Sequence, residues 1–242
     1  MTGLSPSTTH RLLATLVERG YVARGVGTKQ YVIGHRMIHF SCSATQRSMR
    51  LRQIVRPHLE SITAESGETS NLVVFEGKNV VYVDQVEGTK ALRMIPGLGS
   101  TFPAYTSASA KAILAYQVDN APLGVLFSAE PLTKHAKHTL IEKCEFEAAV
   151  RQVVTCGYAV EHDELAEGSS CIAAPIRSRN GVSIAAISVP GPTARVLHPT
   201  PERLGLLVMH HAQQVSAALG FRQLVPTVSG KTVVRREVLE SQ

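Results

Sequence analysis

His162, Asp163 and Cys171 are of the types that build a nucleophilic thiol site, in which an imidazole takes the thiol proton and a carboxylate orients the imidazole. They fall on a strand and the loop before it, where a separation of nine residues between His162 and Cys171 does not by itself bring the side chains together. No GxSxG occurs, and Ser107 with Lys111 reads SxxxK rather than the SxxK of an acylating serine. An enzyme is therefore set aside and no catalytic residue is assigned. His135-Ala136-Lys137-His138 and His210-His211 hold metal-ligating types. Adjacent histidines on a helix point about 100° apart, however, and Lys137 opposes a cation. Solvated or interface histidines are expected, with no metal and no cofactor. Cys42, Cys144, Cys156 and Cys171 form no CxxC or CxxH, so neither a structural zinc motif nor a disulfide framework is indicated, and free thiols in a reducing compartment are expected.

A different chemistry runs along the first residues. Ser7, Thr8, His10 and Arg11, with Thr15 and Glu18, share one face of a helix expected over residues 6–19, and suit hydrogen bonding to phosphates and base edges. Leu12, Leu13, Leu16 and Val17 mark the apolar face. Ser5 is placed to cap the helix, Pro6 fits its first position and Gly20 stops it. Two β-prone runs then flank the Gly-rich, basic loop Gly25-Val26-Gly27-Thr28-Lys29. Helix followed by basic hairpin is the second half of a winged helix-turn-helix, with Ser5, Ser7, Thr8, His10, Arg11 and Lys29 as the DNA-contacting candidates. A plain surface helix and hairpin is the alternative, and the charge distribution weighs against it.

Of 25 Lys and Arg, nine lie in residues 1–58, with Glu18 the one acidic residue there, a local net of +8. The remaining 16 basic and 18 acidic residues give −2, so the overall +6 belongs to the first quarter of the 242 residues. A basic head on a near-neutral body fits a polyanion-binding module joined to a different domain. No apolar run approaches the roughly 20 residues of a membrane span, and no basic n-region with an apolar h-region opens the chain, so a cytoplasmic protein without a membrane partner is expected.

The elements that must position these residues follow from periodicity. Residues 35–46 suit a helical linker. Residues 47–66 suit a second helix with Leu51, Ile54, Val55, Leu59 and Ile62 at helical spacing and Pro57 as a kink or a fresh start. Strands are expected over 70–76, 80–86 and 90–95, then helices over 107–117, 122–127 and 139–154. Strands over 157–161, 171–177 and 182–189 come next, the last two joined by an Asn180-Gly181 turn, and a helix over 201–219 closes the body. The resulting architecture is α+β, with a mostly antiparallel sheet in the body. Boundaries fall at 1–34, 35–66 and 67–221, with a polar, loose tail over 222–242.

The run Gly3-Leu4-Ser5-Pro6-Ser7-Thr8-Thr9-His10-Arg11-Leu12-Leu13, followed by Leu16 and Gly20-Tyr21, resembles the recognition helix of the IclR family of bacterial transcriptional regulators. Pro103-Ala104-Tyr105-Thr106-Ser107-Ala108-Ser109-Ala110-Lys111-Ala112 resembles the stretch that opens that family's effector pocket. Gly157-Tyr158 through Glu164, Gly168, Cys171-Ile172-Ala173-Ala174-Pro175 and Ala185-Ala186-Ile187-Ser188-Val189 resemble its C-terminal block. The resemblance implies a winged helix, here partial because Met1 stands almost on top of the recognition helix, a helical linker, and a GAF-like domain that binds a small effector, often a carboxylate. It also implies a homodimer or dimer of dimers on double-stranded operator DNA, acting as repressor, activator or both.

Carried over residue by residue, the resemblance places Leu92, Met94, Ala108, Ser109, Glu161, Cys171 and Ser188 in the effector pocket. Small residues at Ala108, Ser109 and Ala110 leave room for an anion at a helix N-terminus. Glu161 opposes a carboxylate unless protonated or water-bridged, and otherwise suits accepting from a hydroxyl or hydrated carbonyl. Cys171 is either a small packing residue or a weak donor. Ala110, where the family has Gly, and Pro190, where it has a small polar residue, point to an effector bulkier or less polar than a minimal keto acid. A ligand-binding or oligomerisation module without DNA binding is the remaining alternative.

Overall fold

The structure, a computed structural model, describes residues 3–25, 27–28, 30–119, 121–128 and 131–222, without the side chains of 38–48. Lys29 and the tail beyond 222 lie outside the described residues. By its contacts the chain divides into two units, Met1–Gln53 and Ile54–Gln242.

In the first unit α1 (Pro6–Glu18) begins where expected, because the Ser5 hydroxyl accepts the Thr8 N–H at 3.2 Å and Pro6 has no N–H to leave unpaired. It stops at Gly20, whose φ of +74° few side chains tolerate. Strands β1 (Val22–Arg24) and β2 (Tyr31–Ile33) pair antiparallel with Ala23 opposite Val32, which is the expected hairpin. No residue of α1 is buried, and Leu12 and Leu16 are exposed on it.

Helix α2 (His35–Ser66) runs without a break from the first unit into the second. Pro57 sits inside it, so of the two expectations, a kink or a fresh start, the fresh start does not occur; the cost is one missing N–H in the helical ladder. Val55, Leu59 and Ile62 are fully buried, and the Ser70 hydroxyl donates to the Leu59 carbonyl at 2.8 Å.

The second unit is built on a six-stranded antiparallel sheet in the order β5-β4-β3-β8-β7-β6. Its strands are β3 (Ser70–Glu76), β4 (Asn79–Val86), β5 (Thr101–Pro103), β6 (Ala159–His162), β7 (Ser169–Arg177) and β8 (Ser183–Pro192). The edges are the two shortest strands, three residues in β5 and four in β6. Helices α3 (Ala108–Leu114), α4 (Ala121–Leu126) and α5 (Lys143–Cys156) follow a 3-10 turn over Ala104–Thr106; α6 (Thr193–Val196) and α7 (Pro201–Ala218) follow β8.

Strand alternation sorts the layers. Ala173 and Ala186 face α3, packing with Ala108, Ala112 and Ile113, which leaves the fully buried Ile172, Ala174 and Ile176 for the face on which α7 lies. The Ser216 hydroxyl of α7 ties in by accepting the Arg177 N–H at 2.9 Å. A second cluster around Phe146, Leu126, Tyr105 and Val73 joins α5, α4 and the β3 side of the sheet.

One expected element is absent. Residues 90–95 do not form a strand, and β4 pairs instead with β5, Val80 opposite Phe102. Composition favoured a strand there, but Lys90 reaches back to Glu68 at 2.9 Å and Arg93 to the Lys90 carbonyl at 3.3 Å, which bends the segment away from the ladder. The 139–154 helix starts later, at Lys143, because the Thr139 hydroxyl is engaged with the backbone of His135, Ala136 and Glu164. No helix among the described residues is long and apolar enough to cross a membrane.

Candidate effector-binding site

Antiparallel register decides which polar residues meet. Glu161 of β6 lies opposite Cys171 of β7, and Cys171 opposite Pro190 of β8, so all three point to one face. His162 pairs with Ser170 and points to the other. The nucleophilic constellation is thereby undone: Cys171 and His162 stand on opposite faces of the sheet.

On the first face, Glu161, Cys171 and Pro190 form one wall of a cavity of about 230 Å³. Tyr82 of β4, Phe102 of β5, the entry to α3 from Thr106 to Ala108, and Met94, Ile95 and Pro96 line the rest of it. Part of the segment that fails to become a strand thus lines the cavity. Apolar side chains dominate, and among the described residues no Lys or Arg lines the space.

Glu161 is the one acid in the lining and is 3% exposed. Its Oε1 accepts the Glu164 N–H at 2.5 Å and the Leu165 N–H at 3.4 Å. Desolvation nonetheless outweighs those bonds, and with the neighbouring Glu164 charge it pushes the Glu161 carboxyl up to about 7. Burial, reinforced by the charge of Glu161, drives the Cys171 thiol far above its ordinary range, so it is a neutral group and not an activated nucleophile. Burial likewise raises the Tyr82 phenol, which remains an O–H donor.

The wall is held from behind by a buried ion pair. Lys111 of α3, 1% exposed, meets the Glu164 carboxylate and also donates to the Val160 carbonyl at 3.3 Å. Burial raises the Glu164 carboxyl while the Lys111 charge opposes that rise. The pair fixes the turn after β6 under α3, and with it the two N–H groups that hold Glu161.

Of the residues carried over by resemblance, Met94, Ala108, Glu161 and Cys171 line this cavity together. Leu92, Ser109 and Ser188 do not. Leu92 is 69% exposed and offers its carbonyl to Arg195 at 2.6 Å, outside the cavity. Ser109 and Ser188 are packed beneath the lining, with the Ser109 N–H given to the Ser107 hydroxyl at 3.2 Å. That capping bond also uses one of the amides expected for an anion. Tyr82, Phe102, Lys111, Glu164 and Leu165 were not anticipated. A lysine inside the otherwise small and apolar run Ala108–Leu114 was the available signal for Lys111, since such a run is buried and a buried charge needs a partner.

A second cavity of about 150 Å³ lies between Glu68, Lys90, Arg195 and the start of α7. Three of its charges pair with one another, Glu68 accepting from Lys90 and from two nitrogens of Arg195 at 2.6 and 3.0 Å. On α1, Ser7, His10 and Arg11 are exposed, as is Ser5 before it, whose hydroxyl also bonds to Ser7, Thr8 and the Thr8 N–H and so caps the helix.

Two family models match this chain. The bacterial transcriptional regulator IclR C-terminal model covers residues 43–217, and the IclR helix-turn-helix domain model covers residues 1–25. The chain belongs to the IclR family of transcriptional regulators. It is 32% identical over 220 residues to the transcriptional repressor IclR of Escherichia coli (strain K12), spanning 90% of this chain and 80% of that protein. The IclR crystal structure from Thermotoga maritima is 28% identical with a TM-score of 0.68, covering 90% of this chain and 87% of that one. An IclR homologue from Microbacterium hydrocarbonoxydans, crystallised in complex with 4-hydroxybenzoate, shares the fold at 24% identity and a TM-score of 0.73, with 89% and 86% covered. IclR proteins are regulators, not enzymes, with an effector-binding C-terminal domain, in keeping with the neutral Cys171 and its separation from His162.

Proposed function

We propose that this IclR protein contacts operator DNA through the exposed face of α1 and the β1–β2 hairpin, and that its cavity senses a small carboxylate with an apolar or aromatic body. The observation that carries the second part is the one acid of the lining, Glu161, poised near neutrality in an apolar cavity that no cationic side chain lines. A carboxylate cannot sit beside an ionised Glu161 in such a place. Protonated, Glu161 keeps its Oε1 on the Glu164 and Leu165 amides and presents the other oxygen as a donor. The Tyr82 and Ser107 hydroxyls complete the donor set. Binding then takes up a proton, and Cys171 serves as a neutral, apolar wall. The Microbacterium homologue, which holds an aromatic carboxylate, supports this class of ligand, and Pro190 with Phe102 supports a body larger than a minimal keto acid.

The test is calorimetry of the full chain with 4-hydroxybenzoate and with short keto acids, between pH 6 and 8.5 and in buffers of different ionisation enthalpy. Affinity for the bound acid falls by up to about tenfold per pH unit above 7, with proton uptake, and Glu161→Gln flattens both. Binding that is independent of pH in the wild type overturns the role given to Glu161. Dimers or dimers of dimers on palindromic half-sites are the expected assembly, controlling metabolic genes beside its own. One observation favours a second reading, a ligand-binding module without DNA contact: Leu12 and Leu16 of α1 are exposed. A mobility-shift assay on the upstream intergenic DNA separates the two, and absence of any shift, with or without effector, favours the module.

A further inference from the structure

The strand face turned away from the cavity carries a different chemistry. Alternation sends Glu161 inward and His162 outward, and His162 meets His138, the two rings lying 5.0 Å apart between centroids. Asp163 stands beside them, and one ligand atom from each of the three lies within 4.8 Å of the others. This grouping joins residues that the sequence keeps apart. His135, the other histidine of the 135–138 run, is engaged elsewhere, with the Tyr105 hydroxyl at 3.0 Å.

Each arm of the group is held in place by its own supports. Asp163 has a φ of +51°, the one non-Gly residue with a left-handed backbone among those described. The Thr193 hydroxyl, at 2.5 Å, and the Ser170 hydroxyl, at 3.4 Å, donate to its Oδ1, and the Gly168 backbone N–H also donates to the carboxylate. Such outer bonds orient a carboxylate ligand before a cation arrives. His138 is fixed by its neighbour: the Thr139 hydroxyl donates to the Glu164 carbonyl at 2.7 Å and accepts the Ala136 N–H at 2.8 Å, pinning the 131–139 segment to the turn after β6.

We propose that His138, His162 and Asp163 form a binding site for a divalent cation of the zinc class. Two imidazoles and a carboxylate are ligands for borderline cations such as Zn2+ and Co2+, and three protein ligands leave a coordination position for water or an exchangeable group. Both histidines are exposed, so the cation has an open approach. When bound, it ties the 131–139 segment to the turn that carries Glu164 and Leu165, and so stiffens the wall behind the effector cavity. The site stands apart from the cavity and from the reading given to it: it shares no side chain with the lining.

The full chain, stripped with chelator and dialysed, is titrated with Co2+ and followed by its visible absorption, and Zn2+ affinity is measured by competition with a chromophoric chelator. One equivalent binds in the micromolar range or tighter. His138→Gln and His162→Gln each weaken that equivalent at least about tenfold, as the loss of one ligand does. Because both side chains are exposed, the variants keep the wild-type unfolding curve in the absence of metal, which separates loss of the site from loss of the fold. His211→Gln serves as a control, since His58 and His211 approach within 3.0 Å elsewhere in the unit. No cation bound below about 1 mM, or an equivalent undiminished in both variants, or one lost only with His211, overturns the proposal.

Discussion

Glu161 and Lys111 are the two residues whose burial asks most of their surroundings. Glu161 in the fold titrates near 7 instead of at an ordinary 4.5. The folded state therefore holds its proton more tightly than the unfolded chain, and the associated stability is fully present below about pH 4.5 and lost as pH rises through 7. At about 1.4 kcal/mol per pKa unit the loss amounts to about 3 kcal/mol. Glu161→Gln avoids it, so the variant resists urea better than wild type at pH 8 and shows little advantage at pH 5. Lys111 presents the reverse case, a charge that is matched. Lys111→Met leaves Glu164 buried and alone, at a cost of about 3–5 kcal/mol, whereas adding Glu164→Gln to the same chain recovers most of that. Denaturation midpoints of the two chains at pH 7 check the pairing, and equal losses in both would show that Glu164 does not depend on Lys111. Sequence made Glu161 visible through its place in a motif; its proton affinity was not legible, since that follows from a register pairing and from amides three and four residues onward.

Elements with a strong local signature came through the sequence well. The Asn180-Gly181 turn, the Ser5-Pro6 helix start and the end of α5 at Gly157 all stand close to where composition placed them. Residues 90–95 show the limit. Leu92, Met94 and Ile95 have the composition of a strand, and what prevents one is a pair of charges, Lys90 to Glu68 and Arg93 to the Lys90 carbonyl, reaching across more than twenty residues in the first case. Of the two residues that the resemblance placed in the pocket from this segment, Met94 lines the cavity and Leu92 does not. Gly157 offers a prediction on this scale. Its φ is +84° and a Cβ there would stand 2.3 Å from Met209 Sδ, so Gly157→Ala strains both the C-cap of α5 and its contact with α7. About 1–2 kcal/mol of stability is lost, read as a lower midpoint in thermal unfolding. A midpoint equal to wild type would mean that Met209 simply swings aside and the cap carries no strain.

Across the whole molecule, a charge imbalance visible in the composition became a division into two units joined by one helix. The boundary at Gln53–Ile54 falls one turn before Pro57, where the carbonyl of residue 53 has no amide to receive. The basic first unit yields a prediction of its own. Arg11→Ala lowers operator affinity by about 1–3 kcal/mol if Arg11 reads a base, with sequence preference relaxed at one position; if it holds a phosphate, the loss is the same on every sequence and the salt dependence flattens by about one ion. Competition titrations at two salt concentrations distinguish these, and unchanged affinity removes Arg11 from the interface. The sheet of the second unit has a consequence for how copies of this chain meet. Its outer strands, β5 and β6, are three and four residues long. An edge that brief offers too few free amides and carbonyls to recruit a strand from another molecule. Neither outer strand is therefore a template for lengthening the sheet, and a contact between copies made by side chains on helices and loops can be retuned one residue at a time without touching the sheet.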